Sequence, residues 1–316
     1  MRFRGNGNVF VTILLGGALF LPAASVPAQE VRTPYVASDP AVVARMVALA
    51  DLKDGETAVD LGSGDGRIVL EAVRSYPNAR AWGVDIDAAL VNRAKASAAA
   101  SGLAARAQFF QRNAFDADLR KVDVVFLWLL PELQRLLRTK ILAEAKPGTR
   151  VISHYTDMGS WQPDLRVEEG GRPVMLWVVP ARLAGNWSWT LPAPDGKGRL
   201  HYGAVVEQNF QKLEAAIRVE TQRTVLRELV LRGTEISFKL PLTLPEVGYI
   251  GHEFTGRVTG RDGGRIEGKV KLTYLRTPGQ DSGRYESLEL PWRAERTRSS
   301  AYFAPTGLPV FAPQVD

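Results

Sequence analysis

The stretch Val59-Asp60-Leu61-Gly62-Ser63-Gly64-Asp65-Gly66-Arg67, together with Trp82-Gly83-Val84-Asp85-Ile86-Asp87, decides the fold of this chain. The first stretch predicts a buried strand that runs through a glycine loop into a helix from about Arg67. Backbone N–H groups of such a loop can approach a ligand closely, at the positive end of the following helix. The second stretch predicts a strand ending in a carboxylate, Asp85, 19 residues after Gly66. Nucleotide-binding α/β folds place an acid there to hydrogen-bond ribose hydroxyls.

The order of residues in this loop argues against two common nucleotide-binding motifs. A dinucleotide site requires G-x-G-x-x-G, but Arg67 follows Gly66 and no third glycine stands at that spacing. The loop also lacks the Lys-Ser/Thr pair of a P-loop, so triphosphate binding is not expected. A glycine cluster alone could be a tight turn without a ligand. The order strand, loop, helix, strand and acid supplies the context that favours a ligand site.

Composition is that of an ordinary soluble globular protein, long enough for two domains. The chain has 316 residues, of which 45% are apolar and 23% charged, with a net charge of +6. Residues 30–180 carry no net charge, so we expect no nucleic-acid partner. The absence of cysteine excludes disulfides, thiolate catalysis and cysteine-based zinc sites.

Residues 1–28 have the pattern of a secretory signal peptide. Arg2 and Arg4 precede an apolar run over 9–21, and Val26-Pro27-Ala28 fits a cleavage site. The run is short for a membrane span and is followed by proline. We therefore expect an exported protein, periplasmic or secreted; an uncleaved N-terminal anchor is the alternative, and it would be the only membrane contact.

The pattern over 33–183 predicts a doubly wound, Rossmann-like parallel sheet. Five apolar strands alternate with helices, and a hairpin over 165–168 and 174–179 closes the sheet edge. Asp39-Pro40 is a typical helix cap with proline at the first helical position, and Asp87 is expected to cap the third helix.

From residue 184 to 304 the pattern changes to period-two alternation, which predicts an antiparallel all-β domain, a barrel or a sandwich. Asp195-Gly196 and Asp262-Gly263-Gly264 are expected hairpin turns, and 305–316 is expected to be a tail. The predicted strands cover residues 187–191, 200–208, 214–220, 224–232, 235–240, 253–258, 265–275 and 285–293.

Several segments within residues 33–180 resemble a known family. The loop pattern, acidic-x-G-x-G-x-G, resembles motif I of class I S-adenosylmethionine (SAM) methyltransferases. In combination, the segments are similar to the mitochondrial lysine methyltransferases that modify the ATP synthase c subunit and the adenine nucleotide translocase, and to their bacterial relatives. The segments are Pro34-Tyr35-Val36, Asp60–Ile68, Leu129-Leu130-Pro131-Glu132, Lys146–His154 and Met158-Gly159-Ser160-Trp161.

The resemblance implies a methyltransferase with SAM as methyl donor and makes a protein lysine a plausible acceptor. Two positions depart from the family: Asp85 stands where a glutamate is frequent, and Asn113 where an acid is usual near strand three. Both side chains can still accept hydrogen bonds. The β-rich half has no counterpart in the mitochondrial enzymes, which leaves the acceptor open.

These considerations assign roles around the cofactor. The glycine loop is expected to hold the methionine part and ribose, Asp85 the ribose hydroxyls, and Asp60 or Asp65 the donor's ammonium. Asn113 and Phe115 are expected either to flank adenine or to form a loop turn beside a core aromatic. The expected cofactor contacts are Tyr35, Asp60, Gly62, Gly64, Asp65, Gly66, Asp85 and Asn113.

Methyl transfer is an in-line displacement on an activated sulfonium, so positioning the acceptor is the main task. Glu132 is a candidate to hold an incoming ammonium, or else a favourable acid in a helix's first turn. His154 is a candidate for proton removal, or else structural. His201 and His252 are isolated, and no metal site is expected.

Three functions remain open from sequence. The favoured one is a SAM-dependent methyltransferase, on resemblance a protein-lysine N-methyltransferase. The second is a methyltransferase for a small molecule or lipid held by the β domain. The third is a non-catalytic exported protein that retains the SAM-binding fold.

Overall fold

The computed structural model describes residues 37–194, 196–245, 247–260, 263–275 and 285–298. It contains a seven-stranded sheet flanked by helices and an eight-stranded closed barrel. The signal-like segment, Tyr35, the tail over 305–316, and Asp195 and Asp262 of the two expected turns lie outside the described residues. Within the described ranges, no helix combines the length and apolarity needed to cross a bilayer.

The sheet has the predicted α/β architecture. Its strand order is β3-β2-β1-β4-β5-β7-β6, in which β1 to β5 are parallel and β7 runs antiparallel to β5. This order reverses direction after β1, so the carboxyl ends of β1 and β4 form a crevice, the usual ligand position in such sheets. The strands are β1 (Thr57–Leu61), β2 (Arg80–Asp85), β3 (Ala107–Gln111), β4 (Val124–Leu127), β5 (Arg150–His154), β6 (Leu165–Glu169) and β7 (Arg172–Val178).

Four helices cover the sheet on both faces: α1 (Pro40–Ala50), α2 (Arg67–Ser75), α3 (Ala88–Ala100) and α4 (Pro131–Glu144). Each residue of β4 is buried, as expected of a central parallel strand covered on both sides. The caps form as the sequence predicts: the Asp39 carboxylate accepts from Ala41 N, and the Asp87 carboxylate accepts from Ala89 N and Leu90 N. β4 is shorter than the apolar run over 122–129, because the chain leaves the sheet at the crevice.

The β-rich half is a barrel rather than a sandwich. All eight predicted strands are present, and most are longer than their sequence signal. They are β8 (Gly185–Pro192), β9 (Arg199–Asn209), β10 (Lys212–Val219), β11 (Gln222–Arg232), β12 (Glu235–Leu244), β13 (Gly248–Thr259), β14 (Arg265–Leu275) and β15 (Tyr285–Thr297). Inward side chains include Trp187, Trp189 and Trp292, which are buried in the barrel core.

Between the described residues, two seams of the barrel are paired at one end only. β11 pairs with β12 from Val230 to Arg232, and β15 pairs with β8 from Glu295 to Thr297. The prediction that β12 ends at Leu240 was wrong, since the strand continues through Pro241 to Leu244. Proline lacks a backbone donor, and the edge of β12 that faces β11 is unpaired at this point, so the ladder tolerates it.

The barrel contacts the sheet through the turn between β9 and β10. Phe210 in this turn adopts φ 56° and stacks on Trp161, with ring centroids 6.0 Å apart. The Arg138 guanidinium of α4 lies 5.8 Å from the Phe210 ring centre, and Gln211 Nε2 donates to Gln162 O at 2.7 Å. The turn therefore rests on the segment that follows β5 and on α4.

Candidate functional site

The glycine loop is held against the tip of β2 by backbone hydrogen bonds. Gly62 N and Ser63 N both donate to Val84 O at 2.9 Å, and Gly64 N donates to the Asp85 carboxylate at 2.9 Å. The loop and the acid, far apart in sequence, are therefore in direct contact. This juxtaposition is what the sequence pattern predicts for a nucleoside site.

Two of the glycines are required by the packing of the loop itself. Gly66 has φ 85°, and a Cβ there would lie 2.6 Å from the Phe109 ring. Gly62 has φ 96°, and a Cβ there would lie 2.7 Å from the Leu129 side chain. Any other residue at these positions would be strained and would collide with β3 or with the segment after β4. The two glycines thus allow the loop backbone to pack closely against Phe109 and Leu129.

The Asp85 carboxylate hydrogen-bonds to the loop and can still accept hydrogen bonds from a ligand. One carboxylate oxygen accepts from Gly64 N and the other accepts from Asp87 N at 2.9 Å. A carboxylate oxygen has two lone pairs, so both oxygens can accept a further hydrogen bond. The side chain is partly exposed at the crevice. It can therefore bind a pair of ribose hydroxyls while it orders the loop.

Asp60 is a buried acid at the carboxyl end of β1. Its side chain is 2% exposed, and burial, followed by the charges of Asp85 and Asp65, raises its pKa from 3.8 to about 8. A buried carboxylate of this kind is stabilised by an added positive charge. The hydroxyl of Ser63 in the loop is also buried and has no hydrogen-bond partner among the described residues. Both features fit a ligand that carries an ammonium group and polar atoms into this crevice.

Asp65, the other expected partner of that ammonium, is engaged by a cation of the chain. Its carboxylate forms a two-pronged contact with Arg67, with Nη2–Oδ2 at 2.7 Å and Nε–Oδ1 at 2.9 Å. Arg67 also donates to Ser38 O at 2.5 Å, which ties the loop to the residues before α1. Of the two acids, Asp60 is therefore the better placed for a ligand cation. Nothing in the sequence pattern distinguished them.

Asn113 forms a loop turn, one of the two interpretations that the sequence left open. Its side-chain oxygen accepts from Phe115 N at 3.0 Å and begins a short 3-10 turn over Ala114–Asp116. Both residues are exposed, and β3 leads to them from beside Asp85, which pairs with Gln111. Phe115 is thus an exposed ring rather than a core aromatic, at the place where a base bound next to Asp85 would lie.

The carboxyl ends of β4 and β5 form the other side of the crevice. His154 is buried, and its ring lies 5.1 Å from that of Trp128, a residue that sequence reasoning missed. Both ring nitrogens of His154 lack a hydrogen-bond partner among the described residues. Glu132 is exposed in the first turn of α4. The signal for Trp128 was its place directly after the most apolar strand.

A buried hydrogen-bond network fixes these two strand ends. Gln134 Nε2 donates to Ser153 Oγ at 2.6 Å and to Thr156 O at 2.7 Å, and Thr156 Oγ1 donates to Leu129 O at 3.2 Å. Side-chain networks of this kind hold backbone segments rigidly. The segments after β4 and after β5 therefore present one connected surface to the crevice.

The remaining histidines lie away from this crevice. His201 contacts Glu220 on the barrel at 3.2 Å, and His252 is buried inside it. Among the residues that the structure covers, no group of three His, Cys, Asp or Glu side chains is arranged to hold a metal ion.

A doubly wound sheet with a glycine loop after β1 and an acid at the tip of β2 defines a class I SAM-dependent methyltransferase. Comparison with known proteins agrees: the family described as the ANTKMT methyltransferase domain matches residues 60–165. A protein-lysine N-methyltransferase of Saccharolobus islandicus is 35% identical over 150 residues, which cover 46% of this chain and 93% of that protein. The adenine nucleotide translocase lysine N-methyltransferase of Mus musculus is 34% identical, covering 48% of this chain and 65% of the relative.

The chain therefore belongs to this family of methyltransferases and is a SAM-dependent enzyme. A solved structure described as an RNA methyltransferase from Salinibacter ruber, in complex with S-adenosyl-L-homocysteine, is 41% identical with a TM-score of 0.46. The matched region covers 47% of this chain and 96% of the chain in that structure. The match to the family ends at residue 165, before the barrel begins.

Proposed function

We propose that this protein transfers the methyl group of SAM to the side-chain amine of a protein lysine, by in-line displacement. The observation that carries the donor site is the hydrogen bond between Gly64 N and the Asp85 carboxylate, which joins the loop to the ribose-binding acid. The proposed acceptor is supported by the names of two relatives, a protein-lysine N-methyltransferase and a lysine N-methyltransferase of the ATP synthase c subunit.

In this proposal the chain's own residues bind and orient the donor. Asp85 accepts from the ribose hydroxyls, Asp60 faces the donor's ammonium, and the glycine loop encloses the atoms between them. When bound, SAM would supply a methyl group on a positively charged sulfur: the lone pair of a neutral amine forms the N–C bond, S-adenosylhomocysteine leaves as the C–S bond breaks, and the methylated ammonium then releases its proton to water. The protein must therefore position an amine and favour its neutral form.

Contact with the apolar side chains at the acceptor side would partly desolvate an incoming amine and so favour its neutral form. Desolvation lowers the pKa of a lysine that enters a pocket shielded from water. Leu130 is 40% exposed and Tyr155 60% exposed at the ends of β4 and β5, where an acceptor would arrive. Glu132, at the start of α4, is exposed beside them and can attract the lysine while it is still charged.

Calorimetric titration of the full chain with SAM tests the donor site, and mass spectrometry of poly-L-lysine after incubation with SAM tests the acceptor. We expect micromolar binding that Asp85→Ala weakens roughly hundredfold, and N-methylated lysine as product. SAM binding without lysine methylation would favour a small-molecule or lipid acceptor. Absence of SAM binding would favour a non-catalytic protein that has kept the fold.

We further propose that residues 1–28 direct export or form an N-terminal anchor, on the basic, apolar and small-residue pattern of this segment. An exported SAM enzyme would need a donor supply outside the cytoplasm, so the two proposals constrain each other. Fusion of residues 1–40 to a reporter that is active only after export tests the localisation. An expressed fusion without reporter activity would refute it.

A further inference from the structure

Trp128 occupies a defined place between the proposed donor site and β5. In the sheet register Leu61 lies beside Leu127, and Leu127 beside Ser153, so Trp128 is level with Gly62 on one side and His154 on the other. The Trp128 ring lies 5.1 Å from that of His154, and His154 shares a sheet face with Ile152, the partner of Phe126. Trp128 is therefore on the same face as Phe126, which pairs with Asp60. Trp128 is only partly buried.

The direction of the proposed donor pose points to this side chain. Asp85 lies at the tip of β2 and Asp60 on β1, and the strands follow in the order β2, β1, β4, β5. A donor with its ribose at Asp85 and its ammonium at Asp60 thus lies along the crevice from β2 to β1. The end of β4, where Trp128 stands, is the next position along this crevice.

His154, beside Trp128, is a buried side chain whose hydrogen-bonding atoms are not satisfied by the described residues. It is 3% exposed, packs against Trp128, and has both ring nitrogens without a partner among the described residues. A neutral imidazole offers one N–H donor and one acceptor lone pair. A buried group left unpaired costs free energy that a ligand can recover by forming the hydrogen bond.

The backbone at this point has an unusual conformation. Tyr155, directly after His154, has φ 67°, a conformation that is uncommon for residues other than glycine. Its ring is covered on one side by the Arg172 guanidinium, 5.0 Å from the ring centre. Strained, over-determined backbone of this type is frequent at binding sites.

We propose that Trp128 and His154 form the acceptor-amine subsite: the Trp128 ring contacts the incoming ammonium by a cation–π interaction, and His154 accepts a hydrogen bond from the amine. This inference rests on the proposed lysine methyltransferase function and deepens it by naming the specificity-determining residues. Trp is the aromatic side chain that binds cations best, and methylated ammonium groups are recognised by aromatic faces. The Trp128 ring would therefore still bind the amine after a methyl group has been added to it.

Kinetics with the full chain and poly-L-lysine as acceptor test the proposal. We expect Trp128→Leu to lower kcat/KM for poly-L-lysine by about tenfold, mainly through KM, because a cation–π contact is lost. The dissociation constant for SAM should remain within about twofold, since β1 lies between Trp128 and Asp85. Trp128→Phe should recover most of the loss. Tyr249→Leu, an exposed aromatic on the barrel, is the matched control.

His154→Asn should preserve binding of SAM and lower kcat, with a shift of products towards the monomethylated amine. Trp128→Leu with wild-type KM, or a variant that loses SAM binding and acceptor binding equally, would overturn the proposal. Circular dichroism of each variant identifies misfolding, and Trp128→Phe keeps the proposal open to refutation if the leucine variant fails to fold.

A second measurement separates this proposal from the function on which it rests. The Trp128 indole resonance, assigned by its loss in Trp128→Phe, is followed while n-butylammonium is added to the complex with S-adenosylhomocysteine. A saturable shift that is absent with n-butanol supports the subsite. If wild-type protein binds SAM but methylates no lysine, the proposed function is refuted. Lack of a saturable butylammonium shift would refute the subsite whatever the turnover.

Discussion

The two halves of this molecule treat a buried histidine in opposite ways. Inside the barrel, His252 Nε2 contacts the Tyr202 hydroxyl and Nδ1 contacts Leu240 O, both at 2.8 Å. At the crevice of the sheet, His154 is as well buried but neither nitrogen has a partner among the described residues. A satisfied polar group stabilises and specifies a core, whereas an unsatisfied titratable one needs a ligand to explain it. The difference marks the sheet as the functional half.

Buried donors without a hydrogen-bond partner do not by themselves distinguish the crevice from the barrel. The indole N–H groups of Trp189 and Trp292 are also unpartnered inside the barrel, among the residues that the structure describes. What separates the crevice is that its buried polar groups, Asp60, Ser63 and His154, stand at the carboxyl ends of β1 and β5 or in the loop that follows β1. Ligands of open α/β sheets bind at those ends.

Asp60→Asn should give the largest effect, an increase in the free energy of unfolding at neutral pH. The pKa of Asp60 is raised from 3.8 to about 8, so the folded state holds a proton that the unfolded state releases, and stability is lost as pH rises between those values. The stability of the variant relative to wild type should grow by about 1.4 kcal/mol per pH unit over that range, reaching about 4 kcal/mol at pH 7. Urea unfolding at pH 4 to 8 measures it.

The same variant should bind SAM more weakly, because the carboxylate that faces the ammonium is gone. Asp54→Asn, an exposed acid before β1, is the control and should change neither quantity. A stability difference that is independent of pH would show that Asp60 is not held protonated by its surroundings.

His252 should make the barrel sensitive to acid. Burial lowers its pKa from 6.5 to about 4, so protons bind the unfolded chain in preference and stability is lost as pH falls through this range. We expect a loss of about 3 kcal/mol between pH 6.5 and pH 4 from this group. Unfolding followed by tryptophan fluorescence measures it. His252→Gln should therefore gain stability relative to wild type as pH falls through this range, and His201→Gln, exposed on the barrel, should keep the wild-type pH dependence.

Asp85→Ala should weaken SAM binding roughly hundredfold, since charge-assisted hydrogen bonds to two hydroxyls are lost with the tie to Gly64. Asp85→Asn should retain part of the affinity because the amide oxygen can still accept. Asp116→Ala, an exposed acid after β3, serves as the control. Calorimetry decides the outcome, and equal affinity of Asp85→Ala and wild type would refute the donor site.

Phe210→Ala should have the smallest effect, a loss of about 1.5 kcal/mol, because it removes an aromatic stack on Trp161 from the junction of the two halves. Scanning calorimetry should show the sheet and barrel unfolding less cooperatively. Tyr249→Ala removes an exposed aromatic contact within the barrel and should leave cooperativity unchanged. A single unaltered transition in Phe210→Ala would mean that other contacts couple the halves.

Much of the fold follows from sequence because its signals are local. The apolar strands, Asp39 and Asp87 caps and glycine loop are each read within a few residues, and the alternation of strands and helices permits few sheet topologies. Strand ends were less predictable: β12 passes through Pro241 because a neighbouring edge is unpaired, which only the barrel's register decides.

The sequence by itself determined the class of enzyme, because the loop pattern and the acid at Asp85 are close along the chain and need no knowledge of packing. The tertiary structure decided which acid is available to a ligand. Arg67 forms an ion pair with Asp65, whereas Asp60 is buried and burial raises its pKa. It also brought Trp128 beside His154, two residues on separate strands joined only by parallel register. Burial and register depend on contacts between distant segments, and no local pattern encodes them.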